Sequence, residues 1–199
     1  MRIPIHAEHP EPRKVRHAVE ALRRGGAIAY PTDTVYALGC DIFQKKALDR
    51  IYMMKQMKKD HPVAFVCADL SDLARYAIVE DPAYRLMRRL TPGPYTFILR
   101  ASRDVPRILR MKRTQVGIRV PDHPVPQALV RELGNPIVST SATWQGEQLA
   151  DPDEIDARFP ALERVLDAGF GGLLPSTVLD LTGDEPRLVR EGAGPLDIL

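Results

Sequence analysis

Three polar clusters in this chain have residue types and spacing suited to chemistry, and each follows an apolar run. The first is Pro31–Asp41 (PTDTVYALGCD), in which Thr32 and Thr34 present two hydroxyls just after a short apolar segment. They suit a small polar ligand, and a turn capped by Asp33 with locally bonded threonines accounts for the same residues. The second is Lys55–Pro62 (KQMKKDHP), with three lysines and His61 closing a helical pattern. Lysines there suit an anion, and they equally suit the negative end of a solvated helix. The third is Ser139–Glu147 (STSATWQGE), whose adjacent hydroxyls Ser139, Thr140 and Ser141 suit phosphate or carboxylate, or an ordinary hydroxyl turn. Strand ends are where open α/β sheets hold ligands.

Two arginines belong in the same inventory. Arg119 (GIRVP) and Arg190 (RLVREG) each end an apolar, strand-like run. A guanidinium buried there requires an anionic partner, which a ligand or a structural salt bridge would supply. Asp151 and Asp153 fit helix capping better than acid–base work. The sequence lacks GxxxxGK[ST], GxSxG and HExxH, and its five histidines have no metal-ligand spacing. A hydrolase triad and a zinc enzyme are therefore disfavoured, and no metal site is expected.

Alternating elements must position these clusters. Pro12 opens a helix carrying Val15, Ala18, Val19 and Leu22 at helical spacing, closed by Gly25-Gly26. Further helices are expected over Lys45–Lys55, Asp69–Tyr76, Pro82–Leu90, Val125–Leu133 and Asp151–Phe159. Strands are expected over Gly26–Pro31, Pro62–Cys67, Tyr95–Arg100, Gln115–Val120, Pro136–Ser141, Thr177–Thr182 and Pro186–Arg190. The last two, joined by a short turn, must be antiparallel, so one α/β domain with a mixed sheet is predicted.

Composition sets the outer bounds. The 199 residues carry a net charge of +2, with 44% hydrophobic and 27% charged residues, as in ordinary globular chains. No apolar stretch is long enough for a membrane span, and the N-terminus does not read as a secretory signal. Cys40 and Cys67 make neither a disulfide framework nor a four-cysteine zinc site, so a cytoplasmic protein with reduced thiols is expected. The charge is unevenly placed. Residues 1–120 carry 23 basic against 12 acidic side chains, a net of +11, and residues 121–199 carry 5 against 14, a net of −9. Such a split suits a face that attracts phosphates or RNA, unless folding disperses it.

Taken together and in order, these segments resemble the YrdC/YciO superfamily of threonylcarbamoyl-AMP synthase-like proteins over about residues 12–192. The resemblance rests on AIAYPTDTVYALGCD, YMMKQMKKDHPVAFV, LTPGPYTFIL, GIRVPDHP, PIVSTSA and PSTVLDL…LVREGA. It implies a single domain spanning residues 1–199, an open twisted mixed sheet with flanking helices around a positively charged concave cavity. It implies L-threonine and ATP as ligands, ATP as a substrate with Mg2+, no tightly bound metal, and tRNA or double-stranded RNA as partner. The reaction implied joins ATP, L-threonine and bicarbonate into threonylcarbamoyl-AMP and pyrophosphate, for threonylcarbamoyl modification of tRNA adenosine. By the same resemblance, Thr32, Thr34, His61, Arg119, Ser139 and Ser176 would contact the amino-acid substrate. Lys55, Ser141 and Arg190 would contact the nucleotide, and Lys55 and Ser141 would be catalytic.

Two positions depart from the family's pattern. Where it has KxR this chain has Lys55-Gln56-Met57, and where it has SxN this chain has Ser141-Ala142-Thr143. A lost bidentate donor to phosphate costs about 1.5–3 kcal/mol of charge-assisted bonding. Lost in the transition state alone, such a donor costs on the order of a hundredfold in rate. The departures point to the YciO-like branch, a binder of RNA and nucleotide, with a working synthase as the alternative.

Overall fold

The computed structural model describes residues 1–58, 63–71, 73–103, 105 and 114–197. Strand β1 (Arg2–Pro4) precedes helix α1 (Pro12–Arg23), and the hairpin β2 (Ala27–Tyr30) and β3 (Ala37–Asp41) follows. Next come α2 (Lys45–Met54), β4 (Ala64–Val66), the short α3 (Leu73–Tyr76), β5 (Ala77–Ile78) and α4 (Asp81–Leu90). Strands β6 (Tyr95–Ala101) and β7 (Gln115–Arg119) lead to α5 (Pro124–Leu133) and β8 (Ile137–Ser141). The small hairpin β9 (Thr143–Trp144) and β10 (Glu147–Gln148) precedes α6 (Pro152–Arg158). Strands β11 (Arg164–Asp167), β12 (Thr177–Asp180) and β13 (Arg187–Arg190) close the chain.

Among the described residues, eleven strands form one sheet in the order β1-β11-β2-β3-β8-β4-β7-β6-β12-β13, with β5 pairing β6. Parallel neighbours (β1–β11, β11–β2, β4–β7, β12–β6) mix with antiparallel ones, as the predicted closing hairpin β12–β13 requires. Strand alternation divides the sheet into two faces. On one, Leu38, Phe65, Phe97, Ile118 and Val138 pack under α2, α3 and α4 through Ile51, Tyr76 and Met87. On the other, Ile28, Tyr30, Val66 and Ile137 pack under α1 and α5 through Val19, Leu22 and Leu129.

The alternation also explains why the second face is concave. On β6 the buried Tyr95, Phe97 and Leu99 alternate with the less buried Thr96 and Ile98. Ile98, Gly117, Ala64 and Ser139 stand opposite one another across β6, β7, β4 and β8. Three of these four side chains are small, so the sheet surface between the helices and β13 is left as a hollow.

Several expectations change. Of the region expected as a helix over Asp69–Tyr76, the described residues are helical at Leu73–Tyr76. The segment Ser139–Glu147 is strand and hairpin, not a hydroxyl turn, with Gln145 and Gly146 both at positive φ between β9 and β10. The "apolar" strand ending at Arg190 is an exposed edge, with Leu188 and Val189 about half exposed. Strands β1, β3, β5, β9, β10 and β11 were not anticipated. Asp151 does cap α6, accepting from the Asp153 N–H at 2.9 Å. No helix among the described residues is long and apolar enough to cross a membrane.

Candidate functional site

The hollow encloses about 380 Å³, within the range of small-molecule sites. Lys55, Arg119, Ser139, Ser141, Ser176 and Arg190 all line it, although they come from five separate places in the chain. Its charged lining groups among the described residues are the three cations Lys55, Arg119 and Arg190. Five sites from opposite halves of the sequence thus converge on one cavity of hydroxyls and cations.

Lys55 arrives by way of a helix ending. It is the C-cap of α2, and Gln56 follows at φ 53°. The N–H of Met57 bonds Tyr52 O at 2.9 Å and that of Gln56 bonds Met53 O at 3.1 Å, a Schellman motif. The turn swings Lys55 onto the end of β8, where Nζ donates to Thr140 Oγ1 at 3.1 Å and Ser141 O at 2.5 Å. Burial without a carboxylate partner pushes its ammonium down to about 8.

Arg119 ends β7 and is buried. Its Nη2 donates to Asp33 Oδ1 at 2.5 Å and to Thr34 Oγ1 at 2.7 Å. Thr32 and Thr34 are not among the residues that line the cavity; they brace Arg119 from behind. The threonines also bond locally, since Thr32 Oγ1 accepts from the Thr34 and Val35 N–H groups and donates to Val35 O. Asp33, expected as a turn cap, is instead the ion-pair partner of Arg119. A second loop secures this one. Tyr36 donates to Gly169 O at 2.9 Å and accepts from the Ala168 N–H at 3.0 Å, and Gly172 lies directly against Thr34 O.

On the far wall, Arg190 donates from Nη2 to Ser176 O at 2.8 Å, and Ser176 Oγ meets Thr96 Oγ1 at 2.9 Å. Arg190 has no carboxylate partner among the described residues, contrary to the buried ion pair considered from sequence. Burial and the neighbouring charge of Arg119 both lower its affinity for a proton. Two guanidiniums that repel one another across a cavity favour an anion between them. Ser139 is held from below by Tyr30, whose hydroxyl donates to Ser139 Oγ at 2.8 Å. Burial raises the Tyr30 hydroxyl to about 12, so it stays a donor.

Met57 and Thr143, the two departures, line a smaller hollow of about 280 Å³ that shares Lys55 and Thr143 with the main cavity. Lys55 is the one cation among its described lining residues. His61 lies outside the described residues. Thr96, Tyr30 and Asp33 complete the site and were missed from sequence. Thr96 was detectable, because a polar residue between Tyr95 and Phe97 must face away from the core. Burial pushes the Cys40 thiol up to about 12, and both cysteines are buried and outside the cavity lining, so neither supplies a nucleophile to it.

Fold and site together define an α/β protein whose mixed sheet carries a hollow lined by hydroxyls and cations. Residues 20–192 match the family described as Telomere recombination (Sua5, YciO, YrdC). YciO of Escherichia coli K12 is 45% identical over 96% of this chain and 94% of its own length. A threonylcarbamoyl-AMP synthase of Serratia proteamaculans is 34% identical over 85% of this chain and 93% of its own. The crystal structure of E. coli YciO superposes with a TM-score of 0.95 at 42% identity, covering 100% of this chain and 98% of that one. Sua5 of P. abyssi complexed with L-threonine gives 0.92 at 31% identity, covering 99% of this chain and 59% of that one. The chain belongs to the Sua5/YciO/YrdC family. The resemblance read from sequence and the single-domain α/β fold are both borne out.

Proposed function

We propose that the cavity holds L-threonine and an adenine nucleotide, or the threonylcarbamoyl adenylate that joins them, and that this chain makes that adenylate poorly. One observation carries the reading: three cations and three serine hydroxyls converge on one cavity, while Met57 and Thr143 sit together where Lys55 would meet phosphate. Arg119 suits the amino acid's carboxylate, since its guanidinium can present a fork to two oxygens. Arg190 and Ser176, bonded to each other, face it from the far wall. Lys55 and Ser141 suit the phosphate end, with Lys55 gaining its full charge as an anion replaces the lost hydration.

ATP would enter as a substrate. Among the described residues no group of three His, Cys, Asp or Glu is placed to hold a metal ion. Mg2+ would arrive on the triphosphate with its own waters. No covalent nucleophile is needed, because positioning and charge stabilisation suffice for attack on phosphorus. RNA, single- or double-stranded tRNA regions included, is the proposed macromolecular partner, supported by exposed bases such as Lys45, Lys46, Arg85 and Arg88 on α2 and α4.

A second reading, a working synthase, is favoured by the similarity to the S. proteamaculans synthase over most of both chains. Calorimetry with L-threonine, with and without ATP, tests the binding claim. Wild type should bind, and Arg119→Ala should weaken binding by on the order of a hundredfold, the loss of one charge-assisted pair. A wild type that ignores threonine reduces Arg119 to a structural partner of Asp33 and removes the proposal.

A further inference from the structure

The buried pair between Arg119 and Asp33 is incomplete on both sides. Every hydrogen bond shown from this guanidinium leaves from Nη2, toward Asp33 Oδ1, Thr34 Oγ1 and, at 3.4 Å, Thr32 Oγ1. Arg119 Nε and Asp33 Oδ2 are both sealed from solvent without a partner. Guanidinium and carboxylate pair best through two parallel bonds, and here they make one. The two side chains are only 9% and 10% exposed, so each orphaned atom has lost water and gained nothing. A pair selected only to hold the fold would close that fork. Nor does the loop need Asp33 for its shape. Thr32 Oγ1 already ties the Thr34 and Val35 N–H groups at 3.2 and 3.3 Å and bonds Val35 O at 2.7 Å.

We infer that Asp33 is an internal counter-ion that occupies Arg119 in place of a ligand's carboxylate, and so sets how tightly the cavity takes one. The inference rests on the proposed role of Arg119, but it concerns a residue which that proposal does not use. An incoming carboxylate meets a guanidinium that is already neutralised. It must either displace Asp33 Oδ1 or settle on the guanidinium beside a second negative charge. Both routes lower affinity for a carboxylate and leave a neutral ligand untouched. A bare carboxylate is therefore selected against, whereas a ligand that also reaches Arg190 or Lys55 with a phosphate can still displace Asp33.

The test removes the charge and keeps the shape. Wild type and Asp33→Asn are titrated with L-threonine, with acetate, and with L-threoninol, which keeps the amine and side chain of threonine but has no carboxylate. Half-saturation for both carboxylates should fall about tenfold or more in the variant, with threoninol, a cation at neutral pH, showing no gain. If acetate tightens while threonine binds neither protein, the inference stands and the threonine reading falls. If wild type binds threonine but Asp33→Asn binds neither carboxylate more tightly, the inference falls and the threonine reading stands. An equal gain for threoninol also overturns it. Should Asp33→Asn not fold, wild type carries the test through the side-chain carboxyl 13C resonance of Asp33. That resonance must shift on saturation with acetate or threonine, and an unmoved signal is contrary to the inference.

Discussion

Lys55 is the residue whose surroundings most directly shape the site's chemistry. Its ammonium is depressed from 10.5 to about 8 by burial, so between those values the unfolded chain holds a proton that the folded chain lacks. Stability therefore rises with pH across that window and is flat below it. Relative to Lys55→Met, wild type should gain about 1–2 kcal/mol between pH 8 and 10.5, after allowing for partial contact with solvent. Urea midpoints at pH 7, 9 and 10.5 check this, and a difference independent of pH contradicts it. Met57 has a structural use as well. It occupies the position after the positive-φ residue of the α2 cap and packs on the core cluster, the usual apolar contact of that motif. Methionine there is thus a locally consistent choice, which the family pattern alone did not explain. Asp33 was least legible of all. Its partner is 86 residues away, and its own neighbours are turn-forming types, so nothing local marks it as an ion-pair residue.

At the scale of elements, two loops hold the Arg119 end of the cavity in place. A Cβ on Gly172 would stand 2.0 Å from Thr34 O, whereas one on Gly183 would meet nothing within 4 Å. Gly172→Ala should cost about 1–3 kcal/mol of stability and weaken threonine binding, because Thr34 carries Arg119 with it. Gly183→Ala should do neither, and thermal melts with calorimetry on both variants make the comparison. Equal effects of the two substitutions would show that the loops do not act on each other. The elements with a clear period were readable: α1 from Val15, Ala18, Val19 and Leu22, and β6 from Tyr95, Phe97 and Leu99. The strands that escaped were β1, β3, β5, β9, β10 and β11. Strands β1 and β11 are three and four residues long and pair with each other across 163 positions. Their pattern exists only in the pairing. Strand β3 was hidden differently: ALGCD is buried on both faces, so it has no alternation to detect.

The whole molecule joins a basic N-terminal portion to an acidic C-terminal one, and the cavity draws cations from both. If RNA is the partner, its binding is electrostatic. The logarithm of affinity for tRNA should fall about linearly with the logarithm of salt concentration, steeply enough for several released counterions. Labelled-tRNA titrations at several salt concentrations give the slope, and a flat dependence removes RNA as a partner. The convergence of Lys55, Arg119, Ser139, Ser141, Ser176 and Arg190 was legible in sequence only through the family resemblance, since distances along the chain say nothing of the hollow itself. What the fold adds is that Met57 and Thr143 flank one Lys55. Changes there must act on the same developing charge and so must be non-additive. Pyrophosphate release dependent on ATP, L-threonine and bicarbonate, in wild type, Met57→Arg, Thr143→Asn and the double variant, measures this directly. Wild type should be slow, the singles should gain little and the double variant should be faster by more than their product; a wild type already as fast as the double variant would overturn the role given to Met57 and Thr143.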